Sequence, residues 1–209
     1  MLSTKSNAAS DAASSISKVD AICDFLEVYI HAVLHNRSVY PKSLFEDRYA
    51  YGIPVKASRH PELNQYIADV LAAIRSELLK SSEPGDVMID IVDGNGSTLE
   101  AFVLELSVIS GNYDPRHDIE LRATLIRTNM LEPANVPEDV SFSVCYRPRN
   151  GKPPSLEKNM WVSRLENTKI KHSHEPRLVP LSSIDSADLK IQAFALLRMD
   201  QLSKSEHSI

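Results

Sequence analysis

The 209-residue sequence predicts an α+β domain with a mixed or antiparallel sheet packed against three helices. Three observations predict it. Apolar residues recur at three- and four-residue spacing in three separate segments, as on helices with a buried face. Elsewhere apolar and polar residues alternate, as on strands. Between two apolar runs stands Asp93-Gly94-Asn95-Gly96, which supplies the positive φ angles a tight hairpin needs.

Residues 1–14, rich in Ser, Ala and Asn, read as a disordered tail. Ile16, Val19, Ile22, Leu26, Ile30 and Val33 then share one stripe of a first helix. Cys23, Phe25, Tyr29 and Leu34 widen the stripe, so this helix is buried on more than one side. Tyr40-Pro41 breaks it, since proline lacks a backbone donor and pushes its predecessor out of helical geometry. Tyr49 to Val55 reads as one short extended segment. Ser58 or His60 caps a second helix, with Pro61 in its first turn and Leu63, Ile67, Val70, Ile74 and Leu78 on its apolar face. Pro84-Gly85 ends that region, and the hairpin follows. Asp114-Pro115 starts a third helix, whose stripe is Ile119, Ala123, Ile126 and Met130. Val140 to Arg147 is a strand with Val140, Phe142, Val144 and Tyr146 on one face. After Pro148 the chain turns polar and loses helical periodicity. Met160 to Leu165 and Arg177 to Leu181 read as extended, and Leu189 to Leu197 as a closing strand. The domain is expected to span residues 15–200, its C-terminal region 149–200, with a polar tail over 201–209.

Composition narrows the function. An apolar fraction of 43% suffices for a substantial core. The net charge of −5 leaves no overall basic footprint, so contact with DNA is expected only through a partner. Cys23 and Cys145 sit in apolar periodic segments and read as buried thiols of a reducing compartment. No CxxC pair, apolar leader or membrane-length run is present in the sequence, and no membrane role is expected. Neither a GxSxG elbow nor a phosphate-cradling glycine loop occurs. His172 and His174 would share one strand face but have no closely spaced third ligand, and read as solvated. Asp90, Asp93 and Glu100 flank the hairpin, and a turn with a solvent face accounts for them. No catalytic residue, metal or cofactor is expected.

Three pieces of sequence carry a resemblance. They are FLEV at Phe25 to Val28, the block from Tyr40 through HPELNQYI to Ile67, and HEPRLVPL at His174 to Leu181 with LKIQAF at Leu189 to Phe194. Together they resemble the HORMA-domain accessory subunit of the translesion DNA polymerase zeta, a Mad2-like protein, over roughly residues 16–197. The spindle-checkpoint HORMA protein shares that fold but lacks the HPELNQYI string. The resemblance implies a non-catalytic adaptor in the nucleus, and in the cytoplasm too. Its C-terminal region would be a mobile seatbelt closing over a peptide strand added to the sheet edge. Tyr66 and Trp161 would line the groove for a proline-containing peptide of the polymerase's catalytic subunit. Leu178, Gln192 and Phe194 would meet the C-terminal domain of a Y-family scaffold polymerase, with Phe194 standing where the family carries tyrosine. Arg122 and Ala73 would serve a HORMA homodimer or heterodimer. A cell-cycle or spindle-checkpoint regulator binding mitotic partners is the other function the resemblance implies. Structural roles remain open beside these: Trp161 or Leu178 in the core, Tyr66 at its edge, Arg122 as a solvated charge.

Overall fold

A computed structural model describes residues 17–81, 83–132, 137, 139–149 and 176–197. Met160 to Leu165, both histidines at 172 and 174, and both expected tails lie outside these residues.

The first helix, α1 (Lys18–Asn36), starts at Ser17, whose hydroxyl accepts from the Asp20 N–H at 3.1 Å. As its wide apolar band predicts, α1 is buried on several sides. Phe25, Leu26, Tyr29, Ile30, Val33 and Leu34 sit in the core, and the helix packs against its two fellow helices. The expected single extended segment is instead a hairpin of β1 (Phe45–Ala50) and β2 (Ile53–Ser58). Its turn places Tyr51 and Gly52 at φ of 51° and 73°. Glycine adopts that geometry freely, tyrosine does not. Packing compensates, because the Tyr51 ring stands edge-on to Phe25 at 5.7 Å. Nothing local to the sequence announces a positive φ at a tyrosine.

Of the two candidate caps, His60 is the N-cap of the second helix, α2 (Pro61–Lys80), and Ser58 braces it from outside the helix. His60 Nδ1 accepts from the Leu63 N–H at 3.3 Å, and Ser58 Oγ accepts from the His60 N–H at 3.0 Å. The glycine-rich hairpin joins β3 (Asp86–Val92) to β4 (Thr98–Ile109), with Asp93 Oδ1 accepting from the N–H groups of Asn95 and Ser97. Asp114-Pro115 opens a short 3-10 turn, and α3 (Asp118–Met130) follows.

On α3 the expected apolar face is reversed. Ile119, Ile126 and Met130 are exposed (65%, 41% and 76%), while Leu121, Thr124, Leu125 and Thr128 are buried. The threonines can go inside because their hydroxyls donate back to the helix, Thr124 to the Glu120 carbonyl at 3.1 Å and Thr128 to the Thr124 carbonyl at 2.8 Å. With that donor satisfied, both side chains are buried without an orphaned hydroxyl.

The remaining strands are β5 (Ser141–Arg147), β6 (Arg177–Asp185) and β7 (Leu189–Leu197). The main sheet runs β5-β3-β4-β7-β6, and every pairing is antiparallel. Helices cover one face of it, over Ile89, Ile91, Phe102, Leu104, Val144 and Ile191. On the other face Met88, Ala101 and Val103 form a second small cluster with Cys145, Phe194 and Leu196. Cys23 is buried as expected, its thiol pushed up to about 12 by desolvation. Cys145 is only half-buried and lies on the outer face rather than in the main core. Among the described residues no helix is long and apolar enough to cross a membrane.

Candidate functional site

The two edges of the main sheet are built differently. At the β6 edge stands Pro180, followed by a bulge before Ser182, with charges at Arg177 and Asp185. These are the usual obstacles to adding another strand. At the other edge, β5 pairs with β3 in unbroken register from Ser141 to Arg147 and contains no proline. Among the described residues no strand pairs with its outer side.

Aromatic side chains line this open edge. Phe142, one step into β5, meets the Tyr66 ring edge-on at 5.5 Å and the Tyr40 ring at 6.2 Å. His60 lies 6.5 Å beyond Tyr40. The α2 cap therefore fixes one end of the row, and the helix itself projects Tyr66 onto the strand. Tyr66 remains 39% exposed, with its hydroxyl close to the Val144 backbone. Burial holds the hydroxyls of Tyr66 and Tyr40 above their ordinary titration range, so both stay neutral donors and acceptors. Such rings can accept a rigid apolar side chain at little entropic cost while the strand offers main-chain hydrogen bonds. Tyr40 and Phe142 were missed from the sequence. Tyr40 reads there only as the residue before a helix-breaking proline, and Phe142 as strand core. Trp161, assigned to the opposite wall, lies outside the described residues.

A second group comes together on the helix-free face. Opposed residues of antiparallel strands share a face, and Leu178 stands opposite Leu196, Pro180 opposite Phe194, and Ser183 opposite Gln192. Phe194 and Leu196 pack on the Met88 cluster, Gln192 is exposed, and Leu178 is 59% exposed. Leu178, Gln192 and Phe194 thus line one surface of β6 and β7.

Ala73 and Arg122 do not form a common patch. Ala73 is buried on α2, whereas Arg122 lies on α3 with its guanidinium against the Gly52 turn, and α1 packs against both helices. Beside Arg122 runs the exposed row of Ile119, Ile126 and Met130.

The hairpin carboxylates need correction. Asp90 and Glu100 are both buried rather than solvent-facing. They also point to opposite faces, since Asp90 pairs with Ala101 of the outer cluster and Glu100 with Ile91 of the main core. Glu100 neutralises the buried Arg37 at 2.8 Å. Only Asp93 has the turn role expected of it. Among the described residues no group of His, Cys, Asp or Glu is arranged to hold a metal ion.

No family model matches the chain. It is 33% identical over 189 residues to the human "Mitotic spindle assembly checkpoint protein MAD2B", an alignment covering 84% of this chain and 88% of that protein. It is 30% identical over 89 residues to the Drosophila melanogaster "DNA polymerase zeta subunit 2", covering 43% of this chain and 44% of the relative. Among solved structures, a chain of a "Mitotic Checkpoint Complex" superposes with a TM-score of 0.71 at 18% identity, covering 87% of this chain and 99% of that one. Caenorhabditis elegans HTP-2, solved bound to a HIM-3 closure motif, superposes with a TM-score of 0.66 at 11% identity, covering 86% of this chain and 89% of that one. These structural likenesses carry the fold, and the human relative carries the kinship. The chain is a non-catalytic member of its class, and it belongs to the MAD2B family, the Mad2-like HORMA-domain subunits of DNA polymerase zeta.

Proposed function

We propose that this protein is an adaptor of DNA polymerase zeta that clasps a proline-containing peptide of the catalytic subunit and bridges it to a Y-family scaffold polymerase during damage tolerance. The observation that carries the reading is the unguarded β5 edge walled by Tyr66, Phe142 and Tyr40. A peptide strand added there would have its alternate side chains over the aromatic row, where a pyrrolidine ring packs well. The β6–β7 hairpin belongs to the seatbelt in this reading, and Trp161 keeps its place opposite Tyr66 from the resemblance alone. Leu178, Gln192 and Phe194 form the scaffold-polymerase surface, with DNA contacted only through these partners and the nucleus as the working compartment. Arg122 and the exposed α3 row form the HORMA–HORMA contact. Ala73 is buried beneath its own helix and would act there only through the packing of α2.

The test is fluorescence anisotropy with a proline-containing peptide from the cognate catalytic subunit. Wild type should bind, and a Tyr66→Ala, Trp161→Ala double variant should lose roughly tenfold or more in affinity, the scale of aromatic anchor residues. Undiminished binding by the double variant sinks the site assignment. A second reading, a mitotic checkpoint regulator, is favoured by the likeness to the human mitotic spindle assembly checkpoint protein MAD2B. Competition between the polymerase peptide and a checkpoint-partner peptide separates the two.

A further inference from the structure

Lys18 is the first residue of α1, yet only 1% of it is exposed. Lysine is almost never buried without a partner for its charge. Here the partners come from far along the chain. Its ammonium donates to the Asn112 carbonyl at 2.5 Å and to Asp188 Oδ2 at 2.5 Å. Asp188 sits in the turn joining β6 to β7, and its other carboxylate oxygen accepts from Ser186 Oγ at 2.8 Å. The main chain follows the same route. The Lys18 N–H donates to the Gly111 carbonyl at 3.2 Å, and the Ser110 N–H donates to the Asp188 carbonyl at 3.0 Å. The start of the first helix, the connection after β4 and the turn of the last hairpin therefore converge on one ammonium.

We propose that the Lys18–Asp188 pair is the lock that holds the β6–β7 hairpin on the sheet. The inference rests on the reading of that hairpin as a movable part. Lys18 is neutralised by a carboxylate that only the seated hairpin supplies. The Lys18 side chain is 1% exposed and that of Asp188 49%, so the pair is shielded from water on the lysine side, and its loss with the turn biases the hairpin toward the seated arrangement. The hairpin is held along its length by α3 as well, through Arg127 to the Leu181 carbonyl and Thr124 to Ser182, but those contacts lie at the β6 bulge. β7 is also paired with β4 from Leu189 to Leu196, and at the turn itself the ties are the Lys18 ammonium and the Ser110 N–H, both to Asp188.

Hydrogen exchange followed by mass spectrometry on the full chain tests the idea. Asp188→Asn keeps the shape and removes the charge. It should speed exchange across residues 177–197 by roughly tenfold or more, while 86–92 and 98–105 change little. Adding Lys18→Met to it should speed exchange over 177–197 no further, because the pair is already broken. Arg75→Ala breaks an exposed pair with Asp20 on the same helix turn and should change neither region. Equal acceleration throughout the sheet, or no acceleration in Asp188→Asn, overturns the lock. Should Asp188→Asn fail to fold, Lys18→Met alone decides: selective loosening of 177–197 supports the lock, and an unchanged or uniform profile refutes it. The wild type separates this inference from its premise. Exchange of 177–197 only together with global unfolding refutes the movable hairpin itself, whereas independent opening that ignores these variants refutes the lock alone.

Discussion

Glu100 and Arg37 show how far a residue's role can lie from its local pattern. In sequence, Glu100 alternates with apolar neighbours next to a polar turn, which reads as a solvent face. In the fold it lies under α1, where Arg37 ends the helix and is almost wholly buried. The guanidinium meets Glu100 at 2.8 Å, donates to the Glu132 carbonyl at 2.6 Å and stacks 5.2 Å over the Phe102 ring. A single truncation, Glu100→Ala, leaves that cation without its counter-charge and should cost about 3–5 kcal/mol in urea unfolding. The paired change Arg37→Met with Glu100→Leu should recover most of the loss, because the desolvated charge is gone from both sides. A cost for Glu100→Ala below about 1 kcal/mol would mean water still reaches the guanidinium. Tyr66 is the opposite case: its position one step off the helix stripe already marked it as a residue at the margin of the core, and it stands there.

Among the elements, α3 departs most from its pattern, and α1 and α2 least. Strong periodicity with a clear cap fixed α2, since His60, Ser58 and Pro61 are all local signals. The face of α3 was not legible, because Thr124 and Thr128 satisfy their own hydroxyls and compete for the core with isoleucine and methionine. This makes a clear expectation. Leu125→Ala should destabilise by about 2–5 kcal/mol, as a buried leucine does. Ile126→Glu and Met130→Glu, on the exposed row, should stay within about 0.5 kcal/mol of wild type. If the row is a HORMA–HORMA contact, the glutamates should also abolish self-association in analytical ultracentrifugation. A monomeric wild type removes the homodimeric form of that contact. The β1–β2 hairpin was compressed in the sequence into a single extended segment, because its turn depends on a tyrosine held at positive φ by packing on Phe25.

For the whole molecule, buried His31 and half-buried His35 tie stability to pH. His31 accepts from the Ser58 N–H at 3.4 Å, and burial pushes its imidazole down to about 4. His35 is held below its usual value in the same direction by burial, helped by Lys56 and Lys42. An unfolded histidine titrates near ~6.5, so below that pH the unfolded chain binds protons the folded one refuses. The contribution is complete above about 6.5 and is lost as pH falls toward about 4. The thermal midpoint should therefore drop between pH 7 and pH 5, and His31→Gln should flatten that slope. A midpoint independent of pH over this interval would mean the imidazole reaches water.

By itself the sequence determined the α+β class, the three helices, the glycine hairpin, the closing strands and the kinship, because periodicity, caps and a long specific motif are local in the chain. Tertiary structure alone decided which strand became an open edge, which face of α3 met the core, and which charges were buried together. Strand order, helix rotation and ion pairing depend on residues far apart in sequence. Lys18 and Asp188 touch across 170 positions, and no window along the chain contains both.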